Sequence, residues 1–289
     1  MAGDCVRRWA ESVGRLLVVP TPIGNLGDIT VRGLEALRVA RLILAEDTRH
    51  TRKLLRHYGI ATRLLSYHQH NKRQRLDQAA AELETGDVAL VSDAGMPAIA
   101  DPGFELIEMA IARGIEIDVL PGPSAVITAV VGAAIPAPGF LFAGFLPRAS
   151  AERRRRLQTI AALPYSLVFY EAPHRVLPAL RDMLAIFGDR TVVAARELSK
   201  VHQEYVRGTL AELLERYSDQ EPRGEFTLVV AGAAPAMGDQ LVEARVALEE
   251  MRRQGVMARD AVDAAVARFG VPRNEAYDLW LETGEHGAK

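Results

Sequence analysis

The stretch from Asp87 to Gly103 restricts the fold more than any other. Val88-Ala89-Leu90-Val91 is a short, unbroken apolar run that stops abruptly in Ser92-Asp93-Ala94-Gly95. A run of this length without alternation is what a strand buried on both faces of a parallel sheet looks like. The small residues behind it let a ligand approach the backbone closely. Asp101 followed by Pro102 has the form of a helix start, an N-cap and then proline at the first helical position. A polar, glycine-bearing loop at the carboxyl end of a parallel strand is where open α/β sheets hold their ligands.

The same construction occurs on either side. Leu16 to Val19 leads into Pro20-Thr21-Pro22-Ile23-Gly24-Asn25-Leu26-Gly27-Asp28, and Ile115 to Val119 leads into Pro121-Gly122-Pro123-Ser124. Three such loops, each with a helix behind it, would line one crevice. They are not phosphate cradles. No two glycines are spaced Gly-x-Gly and no glycine precedes a lysine, so dinucleotide and P-loop fingerprints are both missing. The prolines also remove N–H donors that a phosphate would use. Any one loop alone reads better as an ordinary rigid turn. Together, with Asp93 in the middle one, they suit an apolar, cationic ligand free of phosphate.

With 289 residues the chain can hold two domains, each with its own core. The single Cys5 excludes internal disulfides and a cysteine-rich zinc site, and it fits a reducing cytoplasm. No stretch is long and apolar enough to span a membrane, and Arg7, Arg8 and Glu11 do not suit a signal peptide. A net charge of −2 argues against a protein coated in nucleic-acid-binding charge, so local clusters must decide that question.

Residues 1–14 read as a flexible tail and 15–137 as an α/β domain. Asp28 can cap a helix in which Val31, Leu34 and Leu37 recur at helical spacing. Leu42 to Ala45 reads as a strand ending in Glu46-Asp47. Between Thr48 and Leu76 there is no Asp or Glu, while Arg49, Arg52, Lys53, Arg56 and four of the seven histidines fall there. A charge run is usually a solvated helix face, but an acid-free window in a net-negative protein points to an anionic partner.

Gly132 to Gly139 looks like the linker into a second α/β domain, residues 138–236. That domain opens with Phe140 to Arg148 and then Arg153-Arg154-Arg155-Arg156. Four consecutive arginines go round a helix, so at least two should face solvent or a ligand. Strands are expected at Ser166–Tyr170, Thr191–Ala195, Glu204–Arg207 and Phe226–Ala231, with mixed spacings that suggest a partly antiparallel sheet. Residues 237–289 offer three short helices, about 239–254, 258–269 and 273–283, broken at Gly255 and at Gly270-Val271-Pro272. Such a unit is either a helix-turn-helix module for nucleic acid or a plain packing module.

In order, Pro20 to Thr30, Glu46-Asp47-Thr48-Arg49-His50-Thr51, His68-Gln69-His70-Asn71, Ser92 to Pro97, Asp101-Pro102-Gly103 and Pro121 to Ala125 resemble the motifs of the ribosomal RNA small subunit methyltransferase I family, a bacterial branch of the tetrapyrrole methylase superfamily. Gly144-Phe145-Leu146-Pro147, Tyr170 to Arg175, Arg196-Glu197-Leu198 and Gly224-Glu225-Phe226 continue the likeness, so it covers roughly residues 15 to 232. Pro20, where glycine is frequent, and Met96, where threonine is common, are small departures.

The resemblance implies two α/β domains with S-adenosylmethionine (AdoMet) in the cleft between them and a small helical C-terminal unit. It implies methyl transfer to the ribose 2′-hydroxyl of a cytidine in the decoding region of 16S ribosomal RNA, and the family suggests a homodimer; the expected setting is cytoplasmic, with no DNA or membrane partner. Carried over to the cofactor are Pro22, Gly24, Asp93, Gly95, Met96, Pro97, Ser124 and Ala125, with Tyr170, Glu171 and Arg196 from the second domain. The RNA set is Arg49, Arg52, Asn71, Arg148, Arg153, Arg154, Arg155 and Arg156.

A ribose hydroxyl is a poor nucleophile, so an acceptor for its proton or an electrostatic stabiliser should help. Glu46, Asp47, His68 and His70 are the candidates, although Asp47 could equally be a helix cap and His68 a phosphate contact. No further metal ligand is spaced with His68 and His70, so no metal is expected. Two rival readings share parts of this pattern. A sister enzyme methylating a small tetrapyrrole would need the AdoMet loops but not the arginine run. A non-enzymatic RNA-binding protein would have no use for the loops.

Overall fold

The computed structural model describes residues 14–68, 72–234 and 237–285. It divides into two compact units, Met1–Ala161 with Tyr165–Ala231, and Ala162–Pro164 with Gly232–Lys289.

The first unit holds two sheets. In the first, β1 (Leu16–Val18), β2 (Leu42–Ala45), β3 (Leu64–Ser66), β4 (Val88–Val91) and β5 (Ile117–Val119) run parallel in the order β3-β2-β4-β1-β5. Every residue of β1, β2 and β4 is buried, as their continuous apolar character demands. The two-residue alternation sorts them between two cores. Leu17, Ile43 and Ala89 pack with Leu37 of α1 (Val31–Val39) and Leu54 of α2 (Thr48–His57). Leu16, Leu42 and Leu90 pack with Leu83 of α3 (Lys72–Leu83) and Leu106 of α4 (Phe104–Ala112). With β4 central, its loop emerges between the ends of β1 and β2.

Three local expectations are corrected. Helix α1 is capped by Thr30, whose hydroxyl accepts from the Gly33 N–H, while Asp28 closes a single 3-10 turn, Leu26–Asp28. Its buried face is Gly33, Ala36 and Leu37, leaving Val31 73% exposed. Strand β3, inside the acid-free window, was not foreseen, because Leu64-Leu65 is too short a run to stand out. Helix α4 begins only after Gly103, so Asp101 does not cap it.

The second sheet comprises β6 (Phe140–Phe145), β7 (Ser166–Glu171), β8 (Thr191–Arg196), β9 (Glu204–Thr209) and β10 (Phe226–Val230). Its order is β6-β7-β10-β8-β9, with β6 and β7 parallel and the other pairs antiparallel, the mixture that the spacings suggested. Helices α6 (Ser150–Ile160), α7 (Pro173–Phe187) and α8 (Leu210–Asp219) belong with it. The helix behind the third loop, α5 (Ala125–Ala133), packs Val126, Ala129 and Ala133 onto Val168, Val193 and Val229 of this second sheet. Gly132, read as the start of a linker, is therefore inside that helix.

The second unit has α9 (Met237–Arg253), α10 (Ala258–Phe269) and α11 (Arg273–Glu285) around Ala244, Leu248, Val262 and Trp280. Gly270 ends α10 in the left-handed conformation that favours glycine there. Among the described residues no helix is long and apolar enough to cross a membrane.

Candidate active site

The loops behind β1 and β4 are tied by a two-way backbone bridge. Thr21 N–H donates to the Gly95 carbonyl and Gly95 N–H to the Thr21 carbonyl, both at 2.9 Å. Thr21 Oγ1 donates to the Ser92 carbonyl at 3.0 Å, and Ser92 Oγ to the Gly95 carbonyl at 3.0 Å. Gly95 takes a φ of 80°, a conformation in which a side chain would be strained. Beyond β2, the Asp47 N–H donates to Asp93 Oδ1 at 2.9 Å and fixes that carboxylate. Ser124 caps α5 through the Ile127 N–H.

These loops and the end of β7 enclose a cavity of about 430 Å³. Five carboxylates line it, those of Glu46, Asp93, Asp101, Glu171 and Glu225, and among the described residues no Lys, Arg or His does. Ile23, Met96, Ile99, Phe145, Leu198 and Phe226 supply apolar wall, joined by Ser124, Ala125 and Tyr170. A site so rich in one sign of charge selects a cation, and its apolar wall selects a ligand with a hydrophobic body.

The carboxylates feel one another. Burial, then the charges of Glu46 and Asp93, push the Asp101 carboxyl up to about 7, against a smaller opposing hydrogen bond from Ser92. Burial, Asp93 and Asp47 raise Glu46. Burial and Asp101 push the Tyr170 hydroxyl up to about 12. Glu171 is 2% exposed, and burial raises it although the Ala172 N–H and Arg175 pull the other way. Its Oε2 has no hydrogen-bond partner among the described residues.

A second cavity of about 420 Å³ shares Ile23, Asp93, Ala94 and Glu225 with the first. Pro22 and Gly24 line it, and so do His50, Lys53 and Lys200. A Cβ on Gly24 would stand 2.4 Å from Lys200 Cγ and 2.9 Å from the Leu198 carbonyl oxygen, so glycine is what lets the β8–β9 loop close over this wall.

Of the residues read from the sequence, Glu46, Asp93, Met96, Ser124, Ala125, Tyr170 and Glu171 meet in the first cavity, and Pro22 and Gly24 in the second. Gly95 and Pro97 line neither, because they shape the loop from behind. Arg196 also lines neither and is committed to Glu204 at 2.7 Å and to the Arg223 carbonyl. Asp47 is a helix cap: it accepts the Arg49 N–H and pairs with the Arg49 guanidinium at 2.6 Å, which hold it down to about 2. That commitment occupies Arg49 as well. His68 lines neither cavity, and His70 and Asn71 lie outside the described residues.

The arginine run divides between buried and exposed members. Arg153 is 5% exposed and bound to Asp182 and to the Pro147 and Arg148 carbonyls, so it is unavailable to RNA. Arg154 points its Nε at the same Asp182, while Arg148, Arg155 and Arg156 are exposed, as is Arg52 on α2. Sequence reasoning missed Asp101, Glu225 and Lys200. The Asp-Pro-Gly of the first looked like a helix start, and single charged residues in loops carry no pattern.

Residues 15–214 match the model of the tetrapyrrole (corrin/porphyrin) methylases. The chain is 41% identical over 276 residues to a ribosomal RNA small subunit methyltransferase I from Halalkalibacterium halodurans, covering 93% of this chain and 96% of that one. It is 48% identical over 221 residues to the protein of the same name from Thermotoga maritima, covering 76% of this chain and 99% of that one. Its fold resembles that of uroporphyrin-III C-methyltransferase from Thermus thermophilus, solved in complex with S-adenosylhomocysteine, with a TM-score of 0.55 and 20% identity over 75% of this chain and 97% of that one. The chain is thus a member of the tetrapyrrole methylase family and, within it, of the ribosomal RNA small subunit methyltransferase I family.

Proposed function

We propose that the chain uses AdoMet to methylate RNA of the small ribosomal subunit, at the ribose 2′-hydroxyl of a cytidine in the decoding region, in the cytoplasm where subunits are assembled. The observation that carries this reading is the pairing of the two cavities. One is lined by five carboxylates and, among the described residues, no cation, and the other, sharing the Asp93–Ala94 wall, is edged by His50, Lys53 and Lys200. AdoMet is a cation with an apolar body and no phosphate, so the first cavity fits it. His50 and Lys53 on the edge of the second, continued by exposed Arg52 and Arg56, fit a phosphate backbone.

When bound, the cofactor supplies a methyl group already activated on a sulfonium. The chain's own task is then alignment, which is worth about 7–11 kcal/mol at best. Asp93, immobilised by the Asp47 N–H, and the apolar wall orient the cofactor. Of the acid–base candidates read from the sequence, Glu46 is the one lining the cavity, and its raised pKa suits it to accept the hydroxyl proton.

The test offers labelled AdoMet with small subunits lacking the modification, and separately with uroporphyrinogen. The expected product is one 2′-O-methylcytidine in nuclease digests, and Glu46→Gln should slow its single-turnover formation about 10²-fold. Label entering uroporphyrinogen instead would overturn the reading.

A further inference from the structure

The carboxylates of the first cavity have a property that cofactor binding alone does not require. Asp101 reaches the cavity on a loop held in an unfavourable backbone conformation. Between Gly95 (φ 80°) and Gly103 (φ 143°), Ala98 and Ala100 both sit in the left-handed region, at 66° and 63°. Alanine rarely adopts that conformation, and strained loops of this kind persist where the surrounding structure holds them to a purpose. Here the strain delays α4 until Phe104 and leaves Asp101 facing Glu46 and Asp93 rather than capping the helix.

Among the described residues no cation lines the cavity, and Arg49, which feels the Asp93 charge, is paired with Asp47. Lys200, on the neighbouring wall, is bound by Glu197 at 2.8 Å and Glu225 at 3.0 Å, and Arg175 is paired with Glu171. The groups around Asp101 are Glu46 beyond β2, Ser92 and Asp93 beyond β4, Tyr170 and Glu171 at the end of β7, and Glu225 before β10. All are acidic or neutral.

We propose that Glu46, Asp93 and Asp101 form a charge trap that distinguishes AdoMet from S-adenosylhomocysteine, and that Asp101 is the member that releases a proton when the cation binds and recovers one when the charge is gone. The proposal rests on the reading that this cavity takes AdoMet. Neighbouring carboxylates disfavour one another's charge, and burial together with Glu46 and Asp93 raises Asp101 toward neutrality. A sulfonium in their midst favours the ionised form of each. Once the methyl group has left, the sulfur is neutral and the trap no longer holds it. The site therefore prefers substrate over spent cofactor without any change in shape.

Calorimetric titration of AdoMet and of S-adenosylhomocysteine, in buffers of different ionisation enthalpy between pH 6 and 8, tests this. The wild type should release about half a proton per AdoMet at pH 7, and its affinity should rise as the pH climbs through that value. S-adenosylhomocysteine should show neither effect. Asp101→Asn should abolish the proton release and weaken AdoMet about tenfold, with S-adenosylhomocysteine bound as before. That unchanged binding also reports a folded site. An Asp101→Asn protein that keeps both the proton release and the preference for AdoMet overturns the trap. Should Asp101→Asn bind neither ligand, Glu46→Gln decides: the midpoint of proton release should move below pH 7, and an unmoved midpoint overturns the proposal. Ala125→Phe, which fills the cavity, separates the two readings. If it binds both ligands normally the cavity is not the cofactor site. If it binds neither while Asp101→Asn behaves as wild type, the cavity reading stands and the trap falls.

Discussion

Helices α2 and α6 are both arginine-rich, and both look in sequence like contacts for an anionic partner. They differ in what lies under them. On α2 the buried positions are Thr51, Leu54 and Leu55, so Arg52, Lys53 and Arg56 are left on the outside. On α6 the buried positions are Arg153, Leu157 and Ile160, so one arginine of the run occupies the inward stripe itself. It is tolerated there because Asp182 of α7, 3% exposed, meets it together with Arg154 and Ser150. An arginine's availability is thus decided by its phase on the helix and by the acids of the neighbouring helix, not by the density of charge.

The sharpest way to break this contrast is to remove the acid. Asp182→Ala would leave Arg153 buried with only the Pro147 and Arg148 carbonyls to satisfy it. Urea unfolding should show a loss of about 3–5 kcal/mol, the usual result of stranding a buried charge. Arg155→Ala and Arg156→Ala, on the outside of the same helix, should each stay within about 0.5 kcal/mol. If all three variants cost the same, the inward and outward positions are not distinct.

The same pair predicts a pH dependence. Burial by itself would raise the Asp182 carboxyl, but hydrogen bonds from Arg154, Ser150 and Arg153 outweigh it and hold the group below its ordinary value. A carboxyl lowered by folding contributes stability that is present above its unfolded pKa of about 3.9 and lost as the pH falls through the folded value. Acid unfolding of Asp182→Ala should therefore lack part of the steep limb that the wild type shows below pH ~4. An unchanged limb would mean that other carboxylates set it.

On α2 the expected effect is on binding rather than stability. Arg52→Ala combined with Arg56→Ala should weaken small-subunit RNA and lower the slope of log affinity against log salt by about 1.4–1.8, since each lost phosphate contact removes roughly 0.7–0.9. AdoMet affinity should not move. A double variant with the wild-type slope would make the outer face of α2 merely solvated.

How far the sequence could be read follows from the range of each interaction. The continuous apolar runs of β2 and β4 declare buried parallel strands, and the loops behind β1, β4 and β5 declare a ligand site, because those signals are local. Helix breaks at Gly255 and Gly270 place the three C-terminal helices almost to the residue for the same reason. Asp101 was misread because its conformation depends on two left-handed alanines that no residue preference anticipates. Arg153 was readable in principle: its spacing to Leu157 and Ile160 is that of a buried stripe. Its partner Asp182 lies 29 residues further on, which periodicity alone cannot supply. The crowding that raises Asp101 likewise joins two separate loops, Glu46 beyond β2 and Asp93 with Asp101 beyond β4.

The smallest effect is expected at the start of α2, where Asp47 and Glu46 are adjacent but differ in role. Glu46 lines the cavity and Asp47 does not. Asp47 spends its side chain on the Arg49 N–H and guanidinium, and those contacts hold its carboxyl down to about 2. A group that stays ionised at every working pH is a poor acceptor for a hydroxyl proton. What Asp47 gives the site is its backbone N–H on Asp93, which a side-chain substitution leaves in place. Asparagine caps a helix as well as aspartate does, so Asp47→Asn should fold normally and bind AdoMet as before. Single-turnover methyl transfer should stay within about threefold of wild type, far from the 10²-fold or so expected of a lost acid–base group. A drop of that larger size with an intact fold would return Asp47 to the chemistry and make its pairing with Arg49 something the RNA breaks on binding.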